Sequence, residues 1–290
     1  MHNFPQYLKT WARGNPSCIG DDDDLGRAQR SVIWQAFSAS RGALYEPTPG
    51  LHRLLDDAYI ADDVPTAMIR LPVDTLCIVP DPSWWGRRNG VEAILLFRRR
   101  VKVRGEMADV LSCQTWGRRG AGEERRITLE LMEFVIAGTE QTIKRLFDNT
   151  PDLRRTSSDG ADRLASGTRP YWESVLDYAI KMLLYLTVRD AHVVYDRAYT
   201  EASCDFSGLG KRRRGERLAE IEQLYDRYVV GPAVLDAEAA RTAPTDGEHC
   251  EVRGHWRRAH FRMQPHGPQS SLRKLAFIGP TIVRPDRLGL

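Results

Sequence analysis

The chain has 290 residues, 42% of them apolar and 9% aromatic, with seven tryptophans; this composition excludes a disordered chain and allows a sizeable core. A formal net charge of +3 excludes a polyanion binder that works through bulk charge and turns attention to local clusters. Five cysteines (Cys18, Cys77, Cys113, Cys204 and Cys250) form no C-x-x-C pair, which argues against a disulfide framework and a zinc ribbon.

Helical spacing of Val32, Ile33, Ala36 and Phe37 predicts a first helix, broken at Gly42. The stretch Glu46-Pro-Thr-Pro-Gly50 reads as a turn, and Leu51, Leu54, Leu55 and Ala58 mark a second helix. Thr75 to Val79 is a short apolar run bounded by prolines and reads as a strand. Val91 to Val103 and Met107 to Trp116 predict a β-hairpin turning at Gly105-Glu106. Ile127 to Val135 would extend that sheet, and Thr139 to Phe147 predicts a short helix.

Residues 150–168 are poor in apolar side chains and divide the chain into a part over 1–149 and a part over 169–290, expected to pack as one unit. Trp172, Val175, Leu176, Ala179, Ile180, Leu183 and Leu184 form the widest apolar helical stripe. A basic loop, Ser207 to Arg214, leads to a helix carrying Leu218, Ile221, Leu224 and Tyr228. Glu251 to Met263 and Leu272 to Val283 predict a final hairpin. The expected fold is α+β, with N-terminal helices, a central antiparallel sheet, and a C-terminal helix pair and β-hairpin. No basic, apolar leader and no membrane-length apolar run is seen, and thiols without a pairing pattern suit a reducing compartment, so a soluble, cytoplasmic protein is expected.

Motifs of enzymes are weak. Gly208-Leu-Gly-Lys-Arg lacks the G-x-x-x-x-G-K-[ST] spacing of a phosphate loop. There is no G-x-S-x-G elbow. Cys250, His255, His260 and His266 lack paired metal-ligand spacing, and His255 and His260 have opposite strand parity. No metal, cofactor or catalytic residue is assigned.

The binding candidates lie elsewhere. Trp84-Trp85 sits between prolines and Gly86; either one ring lines a groove, as exposed aromatics that anchor partners do, or both pack on the hairpin. From Arg253 to Pro285 the chain contains no acid. Within that span Arg253, His255, Arg257, Arg258, His260, Arg262, Gln264, His266, Arg273 and Lys274 are the candidate ligand-binding residues. Arg253, His255 and Arg257 share one strand parity, whereas Arg258, His260 and Arg262 share the other. A β-bulge near Arg257-Arg258 would bring all six to one side and put Trp256, Ala259, Phe261 and Met263 on the core side. Arginine forks on such a face suit phosphates or carboxylates. The alternative is an edge strand protected by its charge.

Three blocks carry a resemblance. Val252-Arg-Gly-His-Trp-Arg-Arg-Ala-His-Phe261, with Gly267-Pro268, Arg273-Lys274 and Phe277-Ile-Gly-Pro-Thr-Ile-Val283, is the distinctive one; Leu71 to Val79 and Tyr171 to Leu186 are the others. Together they resemble the type V-A anti-CRISPR family, found in phage and plasmid proteins, that blocks biogenesis of the type V effector nuclease. The resemblance implies a non-enzymatic inhibitor. Its partner would be the N-terminal peptide of a CRISPR effector, or another nascent chain, met during translation. It also implies lowered effector messenger RNA, with mRNA or the ribosome as a second partner. The residues alone leave two alternatives open. One is an RNA-binding protein or ribonuclease using His255 and His260 as acid and base. The other is a self-associating assembly protein.

Overall fold

The structure, a computed structural model, describes residues 24–81, 91–103, 106–119, 126–136, 141–148, 169–232 and 255–283. Helix α1 spans Asp24–Ala39. It ends where the Gly42 amide bonds back to the Phe37 carbonyl at 3.0 Å. A Cβ on Gly42 would lie 2.4 Å from the Phe37 ring, so only glycine lets the chain pass the buried phenyl.

Strand β1 follows directly as Ala43–Pro47, overlapping the expected turn at Glu46 to Gly50. Its five residues carry too few alternations to signal a strand locally; its partners are distant in sequence. Helix α2, Pro49–Asp57, starts where Thr48 Oγ1 accepts from the Leu51 amide at 3.3 Å, with Pro49 preset in the first turn. Then come β2 (Tyr59–Ile60), β3 (Thr75–Ile78), β4 (Val91–Val103), β5 (Glu106–Arg119) and β6 (Arg126–Ile136). Val103 pairs with Glu106, so Glu106, expected in the turn, belongs to β5. Helix α3 is Ile143–Asp148 and helix α4 is Arg169–Thr187. After β7 (Val193–Asp196), helix α5 covers Lys211–Gln223. The basic run expected as a loop is therefore its first turn, and Tyr228 belongs not to this helix but to β8, Arg227–Val230. The C-terminal strands are β9 (His255–Arg257), β10 (His260–His266), β11 (Leu272–Ile278) and β12 (Thr281–Val283). The 150–168 segment lies outside the described residues.

Seven strands form one sheet in the order β6-β5-β4-β3-β1-β8-β7. The β3-to-β6 portion is antiparallel, as expected, while β1 runs parallel to both β3 and β8. The fold is α+β with a mixed sheet. Side chains alternate with the strand period. Leu76, Ile78, Ile94, Leu96, Leu111 and Cys113 enter the larger core, and Leu44, Cys77, Ala93, Leu95 and Trp116 enter a smaller one under α1. The β4–β5 register shifts between Val91 and Ala93. That irregularity lets Val91 share the large core with Ile94 despite opposite parity.

Helix α4 is buried over most of its surface from Tyr171 through Tyr185, and a polar line of Glu173, Asp177 and Lys181 runs along it, on which Lys181 pairs with Asp177 at 2.6 Å. Tyr171 Oη pairs with Thr115 Oγ1 of β5 at 2.7 Å. Tyr178 Oη pairs with His52 Nδ1 of α2 at 2.7 Å. On another side, Tyr185 meets Phe277 of β11 edge-on, with centroids 5.6 Å apart. The C-terminal hairpin thus packs on α4 through Ala259, Phe261 and Leu275, which join the large core.

Candidate functional site

β10 pairs antiparallel with β11 and parallel with β2. Alternation gives β10 two faces. Phe261 packs against Phe277, with centroids 4.7 Å apart and planes tilted by 36°, and with Met263 lies on the core. His260, Arg262, Gln264 and His266 take the outward face. Gln264 is opposite Lys274 in the ladder, which places Lys274 there too, whereas Arg273 is opposite Pro265 on the other face.

The proposed bulge is absent. His260 pairs with Ile278 on one side of the interruption, and Arg257 pairs with Thr281 on the other. Two residues, Arg258-Ala259, lie opposite two, Gly279-Pro280, so no residue is inserted and the register is unchanged. The ladder breaks instead of bulging because Pro280 has no amide to donate. Arg257 and Arg258 are exposed at this break. Only the backbone of His255 is described, and Arg253, Trp84 and Trp85 lie outside the described residues.

His260 is 1% exposed. Its ring lies against Tyr59, with centroids 5.1 Å apart and planes 9° from parallel. Nδ1–H donates to the Arg258 carbonyl at 3.1 Å, which fixes the tautomer and turns the Nε2 lone pair away. Burial, reinforced by the Arg257 and Arg262 charges, holds the His260 pKa below the ordinary histidine value despite the Arg258 bond. The neutral ring is therefore the stable form. A ring so enclosed is poorly placed to exchange protons with an RNA phosphate, which weakens an acid–base role for His260.

His260 Nε2, Arg262 Nε and His266 Nδ1 are buried atoms without a hydrogen-bond partner, and all three belong to the outward face of β10. Such atoms normally find partners. Arg257, Arg258, Arg262, Arg273 and Lys274 also lack a carboxylate partner among the described residues. This contrasts with the basic run on β4, where Arg98 pairs with Asp74 at 2.7 Å, Arg99 with Glu133, and Arg100 with Asp109 at 3.2 Å. Arg262 and Lys274 thus make the outward face of β10 and β11 anion-seeking, with Arg257 and Arg258 exposed at the break beside it.

Among the described residues no three His, Cys, Asp or Glu side chains are grouped to hold an ion. His260 and His266 stand at opposite ends of β10, roughly 20 Å apart at strand rise, and Cys250 is outside the described residues. No helix among the described residues is long and apolar enough to cross a membrane.

A second polar cluster escaped the sequence reading. Glu46 of β1 accepts from Tyr225 Oη and pairs with Arg227 Nη1 at 3.0 Å, while Arg227 Nε lies 3.3 Å from Asp196. Burial raises the Glu46 pKa, outweighing the opposing pulls of Tyr225 and Arg227. The available signal was a carboxylate inside the apolar run Ala43-Leu-Tyr-Glu. On the opposite face Tyr45, Tyr228 and Tyr195 stack across three strands at 4.8 and 4.7 Å. Burial pushes the Tyr45 pKa up to about 12.

The C-terminal hairpin, β3 and α4, which hold the three recognised sequence blocks, lie within residues 45–285, and those residues match the model of the AcrVA2-like family, described as the anti-CRISPR type V subtype A2 family. The chain belongs to the AcrVA2-like family. Membership makes it an anti-CRISPR protein of the type V class and agrees with the resemblance carried by Val252 to Val283. A solved structure described as "Crystal structure of AcrVA2" is similar over 96% of this chain and 86% of that chain, at 14% identity and a TM-score of 0.48. No curated protein matches the chain. The AcrVA2-like match includes every candidate residue from Trp84 to Lys274.

Proposed function

We propose that this AcrVA2-like protein lowers production of a CRISPR effector by binding the effector's N-terminal peptide as it is translated, and that the outward face of β10 and β11 holds that peptide. The observation that carries the reading is a pair of cations without a carboxylate partner among the described residues on one strand face, Arg262, whose Nε has no hydrogen-bond partner, and Lys274. A peptide supplies carboxylates and carbonyls to the Arg262 and Lys274 donors. A paired strand anchored on Phe261 and Phe277 holds them at fixed spacing. Lys274, exposed opposite Gln264, adds a mobile cation at the rim.

The test is capture of translating ribosomes on the full chain, with sequencing of the associated messages. The expected result is enrichment of one message through its first codons, lost in Arg262→Ala/Lys274→Ala. No enrichment above a control protein, or enrichment untouched by that double variant, defeats the assignment.

A further inference from the structure

The β7–β8 hairpin is joined by the excursion of residues 197–226, and this excursion has a fixed foot and a bare body. At the foot, the Asp226 carboxylate is 2% exposed. It accepts from the Tyr199 and Thr200 amides at 3.0 Å each and from the Thr200 hydroxyl. Next to it, Arg227 is tied to Glu46 and Asp196. The direction in which the excursion leaves the sheet is therefore set by partly buried, charge-assisted bonds.

Beyond the foot, α5 has Ile221 as its one buried residue, and every position from Lys211 to Glu220 is exposed. Packing, which normally stabilises a helix of this length, is almost missing. Its first turn is Lys211-Arg-Arg-Arg214, and Gly210 offers no side-chain cap. Four cations there repel one another and oppose the helix dipole. The acids Glu216, Glu220 and Glu222 come later. Arg212 and Arg217 pair with Glu216 and Glu220 at 2.9 and 2.8 Å. Even so, the paired Arg212 side chain is 91% exposed. Lys211 and Arg213 have no partner among the described residues. Arg214 rests over the Phe206 ring at 5.5 Å, which orients its guanidinium without neutralising it.

We propose that α5 is a docking arm for the phosphodiester backbone of a nucleic acid, contacted by Lys211, Arg213 and Arg214. Three of the four first-turn cations are arginines, whose forks grip phosphate oxygens bidentately. Cations this dense within one turn match a polymer that carries a charge at every unit. A lipid surface fits poorly, because the exposed apolar side chains here are Leu209 and Leu218 and make no continuous face. This inference goes beyond the peptide reading and uses a different surface, so each stands or falls alone.

The test is fluorescence anisotropy of short labelled single-stranded RNA and DNA of mixed sequence, titrated with the full chain over a salt series. Wild type is expected to bind, with affinity falling steeply as salt rises. Lys211→Glu/Arg213→Glu, at two exposed positions, should weaken binding about tenfold or more. It should also lower the log–log salt slope by about 1.4, at ~0.7 per lost single-strand phosphate contact. Arg53→Glu/Arg70→Glu, an equal charge change elsewhere, should leave binding within about twofold, since only local contacts release counterions. Equal affinity for RNA and DNA assigns the contact to the backbone. The proposal is overturned by an absence of binding, by an equal loss in the control variant, or by tighter binding to phosphatidylserine vesicles than to either polymer. Capture of translating ribosomes by Lys211→Glu/Arg213→Glu reads the peptide site separately.

Discussion

His260 and Tyr59 are stacked face to face across the β10–β2 pairing, with ring planes 9° from parallel. The stack covers an imidazole whose one bonded nitrogen donates to Arg258. Because the folded pKa lies below the ordinary value of 6.5, the unfolded chain takes up a proton first as pH falls. Stability from this group is present above that value and is lost as pH drops toward the lowered one. Thermal unfolding from about pH 8 to about pH 5 should show a larger loss in wild type than in His260→Phe, which keeps the stack and cannot titrate. Parallel curves would show that His260 is not held neutral.

Asp226 ties the excursion to its foot. Asp226→Ala leaves the Tyr199 and Thr200 amides without their acceptor. A loss of about 3 kcal/mol is expected in urea unfolding, the size for a buried charged acceptor with several donors. Trypsin should also cut native protein faster at Arg212 to Arg214 once that foot is loosened.

Gly231 adopts φ 95, and a Cβ there would lie 2.5 Å from Leu51 Cβ and 2.8 Å from Thr48 Oγ1, the cap of α2. Gly231→Ala therefore combines left-handed strain with a clash against a helix start. It should cost about 3 kcal/mol in chemical unfolding.

Phe261 is fully buried and joins the hairpin to the main core. Phe261→Ala should cost about 3–5 kcal/mol by the same measurement. The peptide reading adds a sharper expectation: ribosome capture falls with Phe261→Ala, because the strand beneath the outward face is no longer held.

Cys77 and Cys113 are buried and burial pushes their thiols up, while Cys204 is exposed. Iodoacetamide should modify Cys204 in the native protein and reach Cys77 and Cys113 only after denaturation. Peptide mapping by mass spectrometry distinguishes them.

Local pattern was enough for the long elements. The stripe from Trp172 to Leu184 specified α4, and the branched runs from Val91 to Val135 specified three adjacent strands, because period and length are written within each segment. The outward set on β10 was legible for the same reason: alternation alone separates Arg262 and Gln264 from Phe261 and Met263. Tertiary structure decided the rest. β1, β7 and β8 are four or five residues long and find partners far along the chain, so Glu46, Asp196 and Arg227 meet only when the sheet assembles. The break at Arg258-Ala259 likewise required knowing that Pro280 stands across the ladder. The sequence by itself determined which residues are basic and unaccompanied by acids. Only the tertiary structure decided which of them are neutralised, as on β4, and which have no acid partner among the described residues, as Arg262 on β10 and Lys211 and Arg213 on α5, since pairing depends on what distant strands and helices bring within reach.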